Sequence, residues 1–418
     1  MPEHVEPARS AHPVLFLILF LPLGITSGYV TVTLAYLLVH AGASVTAVAG
    51  LVALSLFPQT WKVVWAPIVD ATLSNKSWYF ISAIITGALM LATAVIPPTL
   101  ANFGLIEILV LLFNITMSFN CMAADALMAH ATPMDEKGRA GGWSQAGNLG
   151  GAGLGGGAGL WLAQHVTNIW TSGAVLGGVC ILSSLAVLFL DEPPFAHRGA
   201  NLAQGLRNIV REVWSIIRQR SGLLVIVLMT LPIGAGAAAN LWSAVAGDWQ
   251  ASADLVALVT GVLSGLLSML GCLAGGYLSD LMDRRTAYAV FGVLLALCAM
   301  GMAVAPHTPA MFVVWTSVYS VVLGFCYAGF GAVTLEAIGA GAVATKYNLI
   351  ASISNIPIAY QTLIDGWGHK RWGSNGMLWV EAACGIAAVV FFALLAAAAR
   401  RPLQFSIGAQ APGAGRGA

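Results

Sequence analysis

The sequence predicts an all-α membrane protein with about twelve transmembrane helices, arranged as two pseudo-symmetric halves of six. Three observations predict this. Of 418 residues, 58% are hydrophobic and 8% charged, with a mean hydropathy of +0.84, whereas a soluble domain carries about 25% charged residues. The apolar residues come in continuous runs of 20 or more. A 20-residue helix covers about 30 Å, the thickness of the hydrocarbon core, whereas barrel strands alternate over roughly ten residues. Finally, 15 of the 18 Lys and Arg fall in alternate connections between the runs.

The spans fall near residues 14–39, 44–69, 78–97, 102–129, 141–163, 168–190, 222–246, 255–280, 286–305, 309–338, 342–366 and 376–399. The run from Val14 is too long for the apolar region of a cleavable leader, so internal spans serve for targeting. Span two ends in Phe57-Pro58-Gln59-Thr60-Trp61-Lys62-Val63-Val64-Trp65-Ala66-Pro67-Ile68-Val69-Asp70. Span four contains Asn120, Cys121 and Asp125. Span five has Gly147, Gly150, Gly151, Gly153, Gly155, Gly156, Gly157 and Gly159, small residues whose spacing lets helix backbones approach closely. No strand precedes this run and no Gly-Lys-Ser/Thr follows it, which excludes a phosphate loop. After span six, the connection 191–221 opens on Asp-Glu-Pro-Pro. It continues with Leu202, Leu206, Ile209, Val213 and Ile216 at helical spacing among basic residues, which predicts an amphipathic helix on the membrane surface. The chain thus divides into a half at 1–190, this linker, a half at 222–400 and a tail at 401–418.

Arg9, Lys76, Lys137, Arg139, Arg198, Arg207, Arg211, Arg218, Arg220, Arg284, Arg285, Lys346, Arg400, Arg401 and Arg416 share one side, and Lys370 and Arg371 the other. The positive-inside rule makes the first side cytoplasmic, with both termini there, in a multi-pass membrane protein. Asp70 and Asp280 end equivalent spans, and Arg139 and Lys346 begin equivalent spans, at offsets of 210 and 207 residues. That near-constant offset predicts a duplicated six-helix unit.

Ionisable groups inside spans cost about 2.5–3.5 kcal/mol at a helix centre, so each needs an explanation. Lys62 lies eight residues before Asp70, hence about 12 Å deeper along a helix. There it can meet an anionic group of a solute, pair with a carboxylate, or snorkel to the interface. Asp125, and Glu336 in span ten, are the candidate proton carriers, because a carboxylate in a dry cavity takes up a proton near neutral pH. Glu336 also lies close to the boundary, where pairing with loop cations is an equal alternative. Glu107 and Glu381 lie near the other ends of their spans and read as interfacial. Asp280-Leu-Met-Asp283-Arg284-Arg285 closes span eight; Asp280 and Arg284 stand at i, i+4, spaced to pair on one helix face as a gate. Asn120, Gln145, Asn148, Asn240, Ser352, Asn355 and Gln361 are polar groups able to line a cavity or to join helices.

At Trp61-Lys62-Val-Val-Trp65-Ala66-Pro67-Ile-Val-Asp70 the chain resembles one branch of the major facilitator superfamily: the AmpG-type muropeptide permeases, acetyl-CoA transporters and related siderophore-uptake permeases. Two further segments carry the resemblance: Thr345-Lys346-Tyr347-Asn348-Leu349-Ile350-Ala351-Ser352-Ile353-Ser354-Asn355-Ile356-Pro357, and Asp125-Ala126-Leu127 followed by Gly138-Arg139-Ala140. The segment Asp280 to Arg285 is similar to the general superfamily motif, with Asp283 where a Gly is often found. The resemblance implies a secondary active transporter working by alternating access, a proton-coupled importer of a bulky, partly anionic solute. Lys62, Asp125, Glu336, Asn120, Gln145 and Asn355 would bind solute or proton. Asp70, Arg139, Asp280, Arg284, Arg285 and Lys346 would gate.

Export of drugs or metabolites on the same scaffold is the alternative. Gly142, Gly151, Gly155 and Gly159 fit the spacing of the antiporter signature, but Gly156 replaces its Pro. A sensor that does not transport is a further one. An intramembrane enzyme is disfavoured, since the eight His lie mostly at termini and loops. The six Cys lie within apolar runs, and Cys-x-x-Cys and His-Glu-x-x-His are absent, so no cofactor or metal is expected. The expected partners are a small-molecule solute, protons and the lipid bilayer, without nucleic acid, for a protein acting as a monomer.

Overall fold

A computed structural model describes residues 12, 14–131, 137–168, 170–192, 220–338 and 343–400, with positions 207, 211, 214 and 218. Within those helices, the side chains of Asp70, Arg139, Asp280, Glu336 and Lys346 lie outside the described residues. So does most of the expected amphipathic helix; at its described positions, Arg218 sits over the Trp214 ring at 5.4 Å.

Among the described residues the chain makes twelve helical passes. They are α1 (Val14–His40), α2 (Val45–Thr72), α3 (Asn75–Val95), α4 (Phe103–Ala131), α5 (Lys137–Gly153, Leu154–Ala158 and Gly159–His165) and α6 (Thr171–Phe189). In the second half they are α7 (Arg220–Thr230, Ala237–Leu241 and Trp242–Val245), α8 (Ala253–Val256, Ala257–Leu263 and Ser264–Asp280), α9 (Arg284–Val304), α10 (Pro309–Ile338), α11 (343–372) and α12 (374–400). Eight stretches among the described residues are long and apolar enough to cross a membrane by composition alone. One of them, Leu349–Ala397, doubles back at Gly373 and makes two passes. The remaining passes are α2, which contains Lys62 and Asp70, the glycine-rich α5 and the broken α7.

The two halves repeat their packing. α2 and α3 pack on α4, α3 on α6 and α1 on α5; correspondingly α8 and α9 pack on α10, α9 on α12 and α7 on α11. The glycines of α5 account for its closest contact. A Cβ at Gly147, Gly151 or Gly155 would lie 2.1–2.3 Å from the carbonyl oxygens of Leu17, Leu21 and Ile25 on α1. From the other side, one at Gly24 would meet Asn148 O at 1.8 Å. A second glycine face of α5 meets α8 across the two halves, where a Cβ on Gly261 would lie 2.5 Å from Gly157 N. The wide π-turn at Leu154–Ala158 frees carbonyls there, and Thr33 Oγ1 donates to Gly155 O at 2.9 Å and Gly156 O at 3.2 Å.

Several expected boundaries change. The continuous span at 222–246 is broken instead. Pro232 supplies no N–H, and Gly234 and Gly236 take φ of +63° and +66°. Carbonyls released inside a membrane need donors from neighbours. Tyr360 on α11 donates to Thr230 O at 2.9 Å, and Tyr288 on α9 donates to Ile233 O at 2.6 Å. The nine-residue connection expected between spans eleven and twelve shrinks to a turn at Gly373, whose φ of +67° an L side chain rarely adopts. The i, i+4 pairing of Asp280 with Arg284 on one helix does not apply, because α8 stops at Asp280 and α9 starts at Arg284. Asp283, at the position of the motif's glycine, caps α9: its Oδ2 accepts from Thr286 N at 3.0 Å and Thr286 Oγ1 at 2.8 Å.

Candidate functional site

α2 begins at Ser44, whose Oγ accepts from Ala47 N at 3.1 Å, and runs without interruption to Thr72. Seventeen residues in from its start it carries Lys62, which is buried. The Lys62 ammonium lies 3.7 Å from Asp125 Oδ2 and 3.8 Å from Cys121 Sγ, both on α4. Cys121 Sγ is also 3.7 Å from Asp125 Oδ2, one helical turn away on the same face. The sequence thus supplies a cation from one helix and a carboxylate from another, and the fold brings them together. Such a pair is expensive to break, because removing either partner leaves an uncompensated charge.

Two more polar groups share the Lys62 face. Gln59 and Trp65 stand three residues before and after it, so the three line one side of α2. Gln59 Nε2 and Trp65 Nε1 are both buried without a hydrogen-bond acceptor among the described residues. Three donors in a row, two of them unsatisfied, form a surface complementary to an acceptor-rich group. In the sequence, the i−3 spacing of Gln59 from Lys62 is the signal that puts both on one helix face.

The other sequence candidates disperse. Asn120 is buried and its Nδ2 donates to Tyr79 O on α3 at 3.1 Å, joining two helices. Asn355 Nδ2 donates to Ala351 O on its own helix at 3.0 Å, and Gln145 is exposed on α5. Asn240 Nδ2 donates to Thr362 Oγ1 at 3.2 Å, tying the broken α7 to α11. Arg284 and Arg285 are half-buried at the start of α9, and Asp70, Arg139, Asp280, Glu336 and Lys346 fall outside the described side chains.

On the side of the membrane carrying Lys370 and Arg371, the halves are joined directly. Thr46 Oγ1 on α2 donates to Gly366 O on α11 at 2.9 Å, and Ser243 Oγ on α7 donates to Thr31 O on α1 at 2.8 Å. His165 and Asp254 face each other at 3.5 Å between α5 and α8. A few residues past α7, Asp248 accepts from the Ser374 hydroxyl and pairs with His369 Nε2 at 3.1 Å. The His369 imidazole, then Ser374, hold the Asp248 carboxyl below the usual carboxylate range.

Comparison with known proteins decides the family. A sequence profile of the Major Facilitator Superfamily matches residues 14–362. The chain belongs to the major facilitator superfamily. No curated protein matches its sequence. Solved structures share its fold. A partially occluded, inward-open form of the xylose transporter XylE from E. coli aligns at a TM-score of 0.68 and 15% identity, over 91% of this chain and 97% of that one. A crystal structure described as a D-xylose-proton symporter gives 0.65 and 16%, over 91% and 96%. The nucleoside transporter NupG gives 0.69 and 11%, over 91% and 98%. As a member of this superfamily the protein is a multi-pass membrane transporter, with the two six-helix halves described above.

Proposed function

We propose that this transporter is a proton-coupled importer of a bulky, partly anionic solute, in the manner of the muropeptide, siderophore and acyl-CoA carriers that its α2 motif resembles. The observation that carries this reading is the donor face of α2. Gln59 Nε2 and Trp65 Nε1 lie unsatisfied on either side of the Lys62 ammonium, itself held 3.7 Å from Asp125. A carboxylate or phosphate supplies acceptors for all three. Its arrival competes with Asp125 for Lys62, and a displaced carboxylate in a dry site takes up a proton. Solute and proton binding are thereby linked through one cation.

In this reading the charge-rich side is cytoplasmic, in the inner membrane, and the protein works as a monomer with halves at 1–190 and 222–400. The Thr46–Gly366 and Ser243–Thr31 contacts close the opposite side. Asp70, Arg139, Asp280, Arg284, Arg285 and Lys346 gate the cytoplasmic side, with Glu336 near it as a second proton carrier. The halves rock about a site between them.

The test is a thermal-shift screen of the purified protein against a muropeptide, a ferric siderophore and an acyl-CoA. One class raises the melting temperature, because a ligand that binds only the folded state stabilises it by mass action. Lys62→Gln abolishes the shift. A shift that survives Lys62→Gln contradicts the assignment of the anion subsite. Flux outward, against an imposed inward proton gradient, contradicts import.

A further inference from the structure

α11 and α12 form a hairpin about Gly373. Residues equally far from such a turn lie at equal depth. Asp365 and Glu381 are each eight residues from Gly373, about 12 Å below the turn. Glu381 was expected at the interface; it is 7% exposed, and Asp365 is 0% exposed. The correction has a simple cause: a turn at one residue, in place of a nine-residue connection, draws both positions into the protein. The two carboxyl groups are near enough across the hairpin for each to bear on the charge of the other.

Their surroundings are sparse in charge. Tyr319 on α10 donates its hydroxyl to Glu381 Oε1 at 2.7 Å, and Gln361 Nε2, one turn before Asp365, donates to Asp365 Oδ1 at 2.8 Å. The titratable groups near the pair are the Tyr319 hydroxyl and Cys326 thiol on α10 and the Cys384 thiol on α12. α7 contributes Trp242, whose ring meets Tyr319 edge-on at 5.2 Å. Among the described residues no Lys, Arg or His pairs with either carboxylate. One oxygen of each acid, Asp365 Oδ2 and Glu381 Oε2, is buried with no donor, and so is the amide oxygen Oε1 of Gln361, which is 1% exposed.

Two adjacent buried carboxylates without a cation cannot both be ionised; the stable form carries one proton between them. We infer that Asp365 and Glu381 form a proton-binding site of the C-terminal half, additional to the Lys62–Asp125 pair. The proton bridges Asp365 Oδ2 and Glu381 Oε2, converting two orphaned acceptors into one hydrogen bond. The N-terminal half has no counterpart: at the repeat offset of 207–210, Asp365 falls on positions 155–158 (Gly-Gly-Gly-Ala) and Glu381 on 171–174 (Thr-Ser-Gly-Ala). The pair is also placed to act on access. Glu381 holds Tyr319, Tyr319 packs on Trp242, and the next residue of α7, Ser243, holds α1 through Thr31 O. Loss of the proton leaves two facing anions, which part; Tyr319, bonded more strongly to the ionised Glu381, follows it away from its place against α7.

The test is infrared difference spectroscopy of the full chain in nanodiscs, titrated from about pH 5 to 9. The wild type is expected to show a protonated-carboxyl carbonyl band, downshifted by strong hydrogen bonding, that disappears as pH rises. Glu381→Gln and Asp365→Asn each remove it, while Asp125→Asn leaves it, so failure here and failure of the α2–α4 pair are read separately. Glu381→Gln keeps the side-chain shape and brings its own N–H donor to Asp365, so its melting temperature holds at or above that of the wild type. Tyr319→Phe shifts the midpoint of the band by removing a donor to the ionised form. Absence of any such band in the wild type overturns the proposal, as does a band untouched by both pair variants. Loss of the band on exchanging potassium for sodium at constant pH also overturns it, by making the site one for a metal cation.

Discussion

Lys62 on α2 and Asp125 on α4 meet at 3.7 Å between Nζ and Oδ2, with Cys121 Sγ within 3.8 Å of the ammonium. A membrane interior disfavours either charge alone, and the pairing compensates both. Removing Asp125 alone, as Asp125→Leu, leaves a buried cation and lowers stability by about 3–5 kcal/mol. The double variant Lys62→Met/Asp125→Leu regains most of it, since a well-packed apolar pair avoids desolvation altogether. Reversible denaturation of the four proteins in one detergent gives the coupling energy directly.

The glycine face of α5 is a packing device. Gly151→Ala places a methyl 2.3 Å from Leu21 O and is expected to cost about 1–3 kcal/mol by overpacking. Gly150, adjacent and with nothing within 4 Å of a Cβ, is the internal control. Gly150→Ala is neutral or stabilising by up to about 1 kcal/mol, through the lower entropy of its unfolded chain. The melting temperature falls in Gly151→Ala and holds or rises in Gly150→Ala.

The break in α7 is held by tyrosine hydroxyls. Tyr288→Phe strips the donor from Ile233 O, and Tyr360→Phe the donor from Thr230 O. Each leaves a buried carbonyl unsatisfied, at a cost of about 1–3 kcal/mol. Amide hydrogen exchange is expected to rise at residues 230–236 in both, with helices away from the break unchanged.

At the far end of α7, His369 and then Ser374 hold the Asp248 carboxyl below the usual carboxylate range. A depressed carboxyl contributes stability above its unfolded value and loses it as pH falls through its folded value. Thermal stability should therefore drop as pH is lowered from the ordinary Asp value of about 4. Asp248→Asn should flatten that part of the profile.

Much of the fold was readable in the residues. Long apolar runs and one-sided Lys and Arg gave the passes and the repeat, and the glycines of α5 announced a close helix contact. The break in α7 was not seen as such, although Pro232, Gly234 and Gly236 mark it, because hydropathy stays high across it. The turn at Gly373 was hidden by polar residues on both sides, which read as a loop while the backbone remains helical to within one residue. Lys62 and Asp125 were legible singly as charges in apolar runs. Their pairing was not, since it depends on the rotation of α2 against α4, and no pattern along one strand of sequence encodes that. Asp365 went unremarked because it stands among loop-like residues, and its meaning appears only when Gly373 folds Glu381 onto it.

In the proposed cycle a proton moves through the Lys62–Asp125 pair during transport. This step is tested most directly by uptake into proteoliposomes of whichever solute class binds in the screen, with an imposed inward proton gradient, comparing the wild type with Asp125→Asn. Asp125→Asn is expected to lose gradient-driven accumulation while solute exchange across the membrane, with no gradient, continues at a comparable rate. Accumulation driven equally well in both proteins would contradict it.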